Sequence, residues 1–288
     1  MGWRTIVVNK NCKLSYKNEY LVIRSETLET IHLSEINIII IENGMVSITS
    51  YLINELINNK IKLIFCDEMH NPAGEVIPYY GSFNTSKKIQ NQINWNKNRK
   101  IKVWEHIVKY KIHNQAMLLK KLNINGYNKL LEYEEDVENG DITNREGHAA
   151  KIYFNLLFGE KFIRGSNNSI NAALDYGYSI ILSIMNKEIV SKGYITQIGL
   201  KHRNEYNPFN LTSDLMEPFR PLIDEIVFNN MKKEFDKRQK YELINVLNRT
   251  MKIEGREQYV ANAIPIYIQS VFNALENKEE SKVLNYEI

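Results

Sequence analysis

The hydrophobic pattern of the chain changes near residue 82. Before that point, short runs rich in Ile, Val, Leu, Thr and Tyr alternate with polar pairs, which is typical of β-strands. One segment, residues 50–58, instead repeats its apolar positions at helical spacing and predicts a helix. Asn71-Pro72-Ala73-Gly74 predicts a turn before a last strand at 76–80. The other predicted strands lie at 5–8, 13–16, 20–24, 30–33, 36–41 and 62–66.

After residue 82 the apolar positions recur at helical spacing over much longer segments. The predicted helices lie at 97–122, 170–190, 217–228 and 257–275, the last interrupted by Pro265. Strands followed by helices predict an α+β protein. We expect a small, sandwich-like β-sheet domain at residues 1–82 and a larger, all-helical domain at residues 83–288.

The composition is that of a soluble globular protein, with 43% hydrophobic and 25% charged residues. A formal net charge of +3 does not by itself indicate a nucleic-acid partner. Basic residues are nevertheless concentrated in residues 87–121, which contain the single acid Glu105. Trp95, Trp104 and Tyr110 lie among them, so this segment is either a surface for duplex DNA or a solvated lysine face whose aromatic side chains point into the core.

Two cysteines, Cys12 and Cys66, form neither a zinc spacing nor a disulfide framework, which favours a reducing compartment. The longest apolar run, residues 38–41, is too short to cross a bilayer. The first residues also lack the apolar core of a signal peptide. We therefore expect a cytoplasmic protein without a membrane partner.

Three side chains are candidate metal ligands: Glu146, His202 and Glu217. Each lies close to a cationic side chain that suits a phosphate, and these cations are Arg145, Lys201, Arg203 and Arg220. Two carboxylates and one imidazole suit Mg²⁺ or Mn²⁺, and the nitrogen ligand favours Mn²⁺. No spacing typical of zinc hydrolases is present.

Each candidate also has an interpretation without a metal. Thr143-Asn144-Arg145-Glu146 has the spacing of a capping box, in which Thr143 caps a helix and Glu146 reaches back to it. His202 can be a residue of a basic surface loop, and its cationic neighbours are expected to disfavour a protonated ring. Glu217 can be the negative charge of a first helical turn, paired with Arg220. Asp214, one turn earlier, is a rival ligand.

The three segments, in this order and behind a strand-rich first domain, resemble the CRISPR-associated spacer-acquisition integrases, the larger of the two near-universal adaptation proteins. The resemblance covers essentially the whole chain and is closest to the versions found in type II systems. Three motifs carry most of it: Glu146-Gly147-His148-Ala149-Ala150-Lys151-Ile152-Tyr153, Asn171-Ala172-Ala173-Leu174-Asp175-Tyr176-Gly177-Tyr178 and Asp214-Leu215-Met216-Glu217-Pro218-Phe219-Arg220-Pro221.

The resemblance implies that Glu146, His202 and Glu217 bind Mg²⁺ or Mn²⁺ and act in phosphoryl transfer on double-stranded DNA. Many relatives have Asp at the third position, where this chain has Glu217. Hydrolysis would make the protein an endonuclease, whereas attack by a DNA 3′-hydroxyl would make it an integrase. His202 would be a ligand or a proton carrier.

The resemblance further implies a homodimer joined through the first domain. It also implies a small CRISPR-associated partner protein, with which the dimer forms a heterohexamer. Two alternatives remain open: a non-catalytic nucleic-acid-binding scaffold, and a metal hydrolase for a small phosphorylated metabolite. The second lacks a glycine-rich phosphate cradle in the sequence.

Overall fold

The computed structural model describes residues 2–79, 82–230, 235–276 and 282–287. The chain divides into two compact units, residues 1–83 with 190–192 and residues 84–189 with 193–288. Most of the strands lie in the first unit and most of the helices in the second. The prediction of an α+β protein with a sheet-rich first part and a larger, mainly helical second part is therefore confirmed.

The first unit contains eight strands and one long helix among its described residues. They are β1 (Arg4–Val8), β2 (Lys13–Lys17), β3 (Tyr20–Arg24), β4 (Leu28–His32), β5 (Ile36–Ile41), β6 (Ser47–Ile48), α1 (Ser50–Asn58), β7 (Lys62–Cys66) and β8 (Pro72–Glu75). One sheet has the order β1-β5-β7-β8 and the other the order β4-β3-β2-β6.

Strand β5 shows why the first sheet forms. It pairs in parallel with β1 on one side and with β7 on the other, and all six of its residues are buried. A parallel strand covered on both faces is expected to be a continuous apolar run, as Ile38 to Ile41 are. Side chains from both sheets and from α1, including Leu14, Ile39 and Leu52, form one apolar core.

The end of this unit differs from the prediction. Asn71–Gly74 is not a simple turn, because Pro72–Glu75 forms strand β8, antiparallel to β7. Residues 76–78 are not a strand, and Tyr80 lies outside the described residues. Pro72 is the first residue of β8, which is an edge strand, and proline is tolerated at both kinds of position.

The second unit is built mainly from helices. They are α2 (Thr85–Ile93), α3 (Lys97–Lys121), α4 (Tyr127–Glu135), α5 (Arg145–Phe158), α6 (Ser169–Ser191), α7 (Asn210–Met216), α8 (Arg220–Asn230), α9 (Lys237–Ile244) and α10 (Val260–Leu275). A 3₁₀ turn, Glu217–Phe219, joins α7 to α8. Helix α3 contacts α4, α5, α7, α8, α10 and this turn, so it is the central helix of the unit.

The sequence predicts an all-helical domain here, and this prediction is wrong. Strands β9 (Thr250–Ile253), β10 (Arg256–Tyr259) and β11 (Tyr286–Glu287) form a small antiparallel sheet in the order β10-β9-β11. Glu254 and Gly255, both with positive φ, make the tight turn between β9 and β10. Residues 257–259, predicted as helix, therefore belong to a strand, and α10 begins at Val260 and continues through Pro265.

Among the described residues, none of the helices is both long enough and apolar enough to cross a membrane.

Gly177 allows close packing of α6 on its neighbours. A Cβ atom at this position would lie 2.4 Å from Cγ2 of Ile223 on α8 and 3.1 Å from Cδ2 of Leu243 on α9. We expect Gly177→Ala to lower the free energy of unfolding by about 1–2 kcal/mol, because overpacking outweighs the gain in helix propensity. Urea unfolding measures the change. Gly74→Ala is the control, since no atom lies within 4 Å of its added Cβ; equal stabilities for both variants would contradict the prediction.

Candidate functional site

Two acidic side chains from separate segments meet on one lysine. The Nζ atom of Lys111, on α3, lies 2.7 Å from Oε1 of Glu146 and 2.6 Å from Oε2 of Glu217. The two carboxylate oxygens are therefore no farther apart than the sum of these distances. Glu146 and Glu217, 71 positions apart in the chain, therefore lie on either side of one ammonium group.

Glu146 lies in the first turn of α5, but the capping box predicted there is wrong. The residue that precedes the helix is Asn144, in the left-handed conformation with φ 54°, and its side chain makes no capping bond. Asp141 provides the cap, because its carboxylate accepts the N–H groups of Arg145 and Glu146 at 2.6 and 3.2 Å. The Glu146 side chain is not needed as a capping group and reaches Lys111 instead.

Glu217 is the first residue of the 3₁₀ turn and is only 4% exposed. Its Oε2 atom also accepts the Nε–H of Arg220 at 3.0 Å, so the pairing considered from the sequence is present. The next residue, Pro218, anchors the turn, since its carbonyl oxygen accepts from Asn114 Nδ2 at 3.0 Å and from the Tyr286 hydroxyl at 2.6 Å. Helix α3 thus contributes both Lys111 and Asn114 to the position of Glu217.

The charged side chains of Lys111, Glu217 and Arg220 shift one another's pKa values. Burial alone would raise the pKa of Glu217, but Arg220 and Lys111 outweigh it and lower that pKa below its ordinary value. Burial would likewise lower the pKa of Lys111, yet Glu217 and Glu146 raise it. Lys111 and Glu217 therefore stabilise each other's charged form.

His202 lies in the segment between α6 and α7 and is held by Asp214. Nδ1 of His202 lies 2.6 Å from Oδ1 of Asp214, a carboxylate with no exposed surface. The same carboxylate accepts the backbone N–H groups of Leu200, Lys201 and His202 at 2.6, 3.1 and 3.2 Å. Asp214 is therefore fully engaged as a positioning residue and is not a rival ligand. Its bond to Nδ1 leaves Nε2 of His202 as the nitrogen for a ligand or a proton.

The expectation that cationic neighbours disfavour a protonated His202 is wrong. The hydrogen bond that His202 donates to Asp214 raises the pKa of His202, the opposing effect of burial is smaller, and the charges of Asp214, Glu217 and Glu146 raise it further. The charges of Glu146 and Glu217 thus act on the imidazole in the same direction as Asp214.

Gly199 is required for this loop to wrap around Asp214. A Cβ atom at position 199 would lie 2.6 Å from Oδ2 of Asp214 and 2.6 Å from the carbonyl oxygen of His202. Because a side chain would push apart the carboxylate and the backbone, only glycine lets the loop close this tightly.

The donor set is suitable for a hard divalent cation, although the side chains do not form a closed ligand cluster. Within the described ranges, no three Asp, Glu, His or Cys side chains are gathered closely enough to hold a metal. Two of the candidate ligands, Glu146 and Glu217, already share one cation, the ammonium group of Lys111. Carboxylate oxygens together with one imidazole nitrogen are ligands that Mn²⁺ or Mg²⁺ accepts. The residues present therefore fit such an ion.

The four cations predicted to contact DNA have different surroundings. Arg145 approaches Asp136 at 3.4 Å and lies over the ring of Tyr133. Arg220 is bound to Glu217 and lies 4.5 Å from the ring centroid of Tyr178. Lys201 and Arg203 are exposed. Arg203 also lines an open cleft of about 800 Å³, together with His202, Lys100, Gly199, Tyr206 and Asn207, among others.

In the basic segment at residues 87–121, the aromatic side chains point into the core, which favours the second of the two interpretations, a solvated lysine face. Trp95, Trp104 and Tyr110 are 7, 2 and 3% exposed, so they belong to the core. Four of the lysines pair with carboxylates: Lys88 with Glu276, Lys109 with Glu105, Lys111 with Glu146 and Glu217, and Lys121 with Glu225.

Two further residues of the site were not identified from the sequence. Lys111 was noted only as part of the basic segment, although its spacing from Ile107 and Leu118 places it on the buried stripe of α3, which was the available signal. Asp224 was not noted at all. It has no exposed surface and accepts the hydroxyls of Tyr153, at 2.8 Å, and Tyr178. The ring of Tyr178 in turn supports Arg220.

The Asp214–His202 contact predicts a change in imidazole titration. Asp214→Asn removes the charge and the strong acceptor that raise the pKa of His202, so this pKa should fall. NMR titration of the histidine Cε1–H signals measures it. His113, whose pKa is raised by Glu134, is the control in the same spectra and should not change. An unchanged His202 pKa would show that Asp214 does not govern it.

The raised pKa of Asp224 predicts that the free energy of unfolding falls as the pH rises. Burial raises its pKa to about 6, despite the two tyrosine hydroxyls. The folded state therefore binds more protons than the unfolded state between about pH 4 and 6, and the free energy of unfolding falls by about 3 kcal/mol over this window. Asp224→Asn lacks this component. Urea unfolding at a series of pH values should show the wild type losing stability relative to the variant; parallel curves would contradict the prediction.

Comparison with known proteins agrees with this architecture. The sequence profile of the family described as CRISPR associated protein Cas1 matches residues 5–263. A CRISPR-associated endonuclease Cas1 from Neisseria meningitidis serogroup C (strain 8013) is 35% identical over 277 residues, which cover 94% of this chain and 91% of that protein.

Two solved structures share the fold. A casposase bound to integration product superposes with a TM-score of 0.78 at 21% identity, covering 96% of this chain and 92% of that one. A chain of a Cas6-RT-Cas1–Cas2 complex gives a TM-score of 0.73 at 20% identity, covering 97% of this chain and 36% of that one. The family resemblance noted from the sequence is thus confirmed: this chain belongs to the CRISPR associated protein Cas1 family.

Proposed function

We propose that the protein is a divalent-metal-dependent DNA endonuclease and integrase of CRISPR adaptation. In its main reaction it would join the 3′-hydroxyl ends of a prespacer to the CRISPR repeat by transesterification. The observation that carries the proposal is the meeting of Glu146 and Glu217 around a cation. The 35% identical relative named as an endonuclease supports the class of activity.

Glu146, Glu217 and Nε2 of His202 would hold the ion. A bound Mg²⁺ or Mn²⁺ polarises a phosphate and stabilises the charge that develops during phosphoryl transfer. Arg220 and Lys111 keep Glu217 ionised, as a ligand must be. The 3′-oxygen of the incoming DNA would form a bond to phosphorus as the bond to the leaving 3′-oxygen breaks, so the number of phosphodiesters is unchanged.

Asp214 would fix the orientation of His202. With Nδ1 bound to Asp214, the ring presents Nε2, which suits either a metal ligand or a group that receives and returns the proton of the attacking hydroxyl. The raised pKa of His202 favours proton uptake near neutral pH. Both roles require the same orientation, which Asp214 and the closed loop at Gly199 provide.

The DNA backbone would approach along the cleft beside His202. Lys100 and Arg203 line it, and Lys201 is exposed in the same loop. Cations at this density suit phosphate contacts that position the duplex without reading its sequence. The structural neighbour described as a casposase bound to integration product supports a DNA partner.

The assembly proposed is a homodimer joined through the unit at residues 1–82, with residues 83–288 as the catalytic unit. A small CRISPR-associated adaptation protein would bind the dimer and complete a heterohexamer. Support comes from the fold shared with a chain of a Cas6-RT-Cas1–Cas2 complex.

The pairing of both acids with Lys111 and Arg220 also fits the alternative of a non-catalytic nucleic-acid-binding scaffold, since the carboxylates are balanced without an ion. Activity separates the two. With Mn²⁺, the wild type should join a duplex with free 3′-hydroxyl ends to a plasmid that carries a repeat. Glu146→Gln and Glu217→Gln should each lower the joining rate at least about a hundredfold, because they remove charged ligands.

The controls identify the chemistry. Glu132→Gln, an exposed acid on α4, should join at the wild-type rate. A duplex with 3′-deoxy ends should not be joined, since it lacks the nucleophile, and excess chelator should stop the reaction. Wild-type rates in both glutamine variants would refute the proposal. DNA binding without any joining or cleavage would favour the scaffold.

A further inference from the structure

Lys111 lies between two carboxylates, in a buried position that lysine seldom occupies. The residue is 8% exposed, and its ammonium group contacts Glu146 and Glu217 at 2.7 and 2.6 Å. Lysine is seldom buried unless it is paired. Here it is paired twice, with the two acids that the proposed function assigns to a divalent cation.

A divalent cation at these two carboxylates would compete with the ammonium group of Lys111. Mg²⁺ and Mn²⁺ bind carboxylate oxygen at about 2.1 Å, whereas the ammonium lies 2.6–2.7 Å from these oxygens. Both cations would then be only a few ångströms apart in a buried site, where like charges repel strongly. Binding of the ion therefore favours withdrawal of the ammonium group.

The charges of the cluster lead to the same conclusion. Glu146 and Glu217 carry two negative charges, and Lys111 and Arg220 carry two positive charges, so the four groups are already balanced. An added dication would leave an excess of positive charge in a poorly solvated place. Arg220 is held by the Tyr178 ring and by Glu217. Lys111 has a flexible four-carbon stem and is the cation that can withdraw.

We propose that Lys111 is a built-in competitor of the divalent cation: it holds Glu146 and Glu217 together in the metal-free protein and leaves them when the ion binds. This inference rests on the proposed metal site at those two acids. Its consequence is that the protein keeps its acidic ligands assembled and neutralised before the ion arrives, while its affinity for the ion is reduced.

Calorimetric titration with Mn²⁺ tests the competition on the full-length protein. Lys111→Met keeps the length of the side chain but removes the charge, so Mn²⁺ should bind about tenfold more tightly or better than in the wild type. Lys111→Arg keeps the charge and should bind like the wild type. Lys109→Met, on the same helix and paired with Glu105, is the matched control and should also bind like the wild type.

The outcomes separate the two proposals. Equal or weaker binding by Lys111→Met, beside measurable binding by the wild type, would overturn the competition and leave the metal site intact. No binding by the wild type or by any of the variants would overturn the metal site and the competition together. Tighter binding by Lys111→Met that Glu146→Gln abolishes in the double variant would support both.

A second measurement needs no variant and covers the case in which Lys111→Met does not fold. Acetylation of lysines by acetic anhydride, followed by mass spectrometry, reports how accessible each amine is. Saturating Mn²⁺ should raise the acetylation rate of Lys111 severalfold in the wild type and leave that of Lys109 unchanged. An unchanged rate at Lys111 would overturn the proposal.

Discussion

Lys111 holds the carboxylates of Glu146 and Glu217 side by side through two ion pairs. Glu146 lies in the first turn of one helix and Glu217 begins a 3₁₀ turn, and without a cation between them the two negative charges would repel each other. Breaking a buried pair of this kind typically costs about 3–5 kcal/mol. The ion pairs therefore hold α5 and the turn against α3, and the geometry of the site depends on that central helix.

Each functional side chain has a partner that fixes its direction. Asp214 accepts hydrogen bonds from three backbone N–H groups and from the His202 ring, whose orientation it fixes. Arg220 forms an ion pair with Glu217 and packs against the ring of Tyr178. Asp224 extends this layer by accepting the hydroxyl of Tyr178. These supporting groups are buried and hydrogen-bonded, which is the arrangement that keeps reactive groups in one orientation.

Long periodic segments were predictable, and local details were not. The apolar pattern located α1, α3 and α6 and the buried strand β5 almost to the residue. It missed α2, α4, α7 and α9, which have fewer apolar positions than α1, and the three-stranded sheet, whose strands have only two to four residues. The cap at α5 was misassigned because Asp141 reaches it across a turn, outside the spacing of a capping box.

The sequence by itself determined the strand-rich first part, the mainly helical second part, the family and the three candidate ligands, since these depend on periodicity and on short motifs. Only the tertiary structure decided that Lys111 belongs to the acidic pair rather than to a DNA surface, that Asp214 supports His202, and that the aromatic residues of the basic segment are buried. The physical reason is that a charged side chain takes its role from the charges that face it. Those charges come from parts of the chain that local spacing cannot connect.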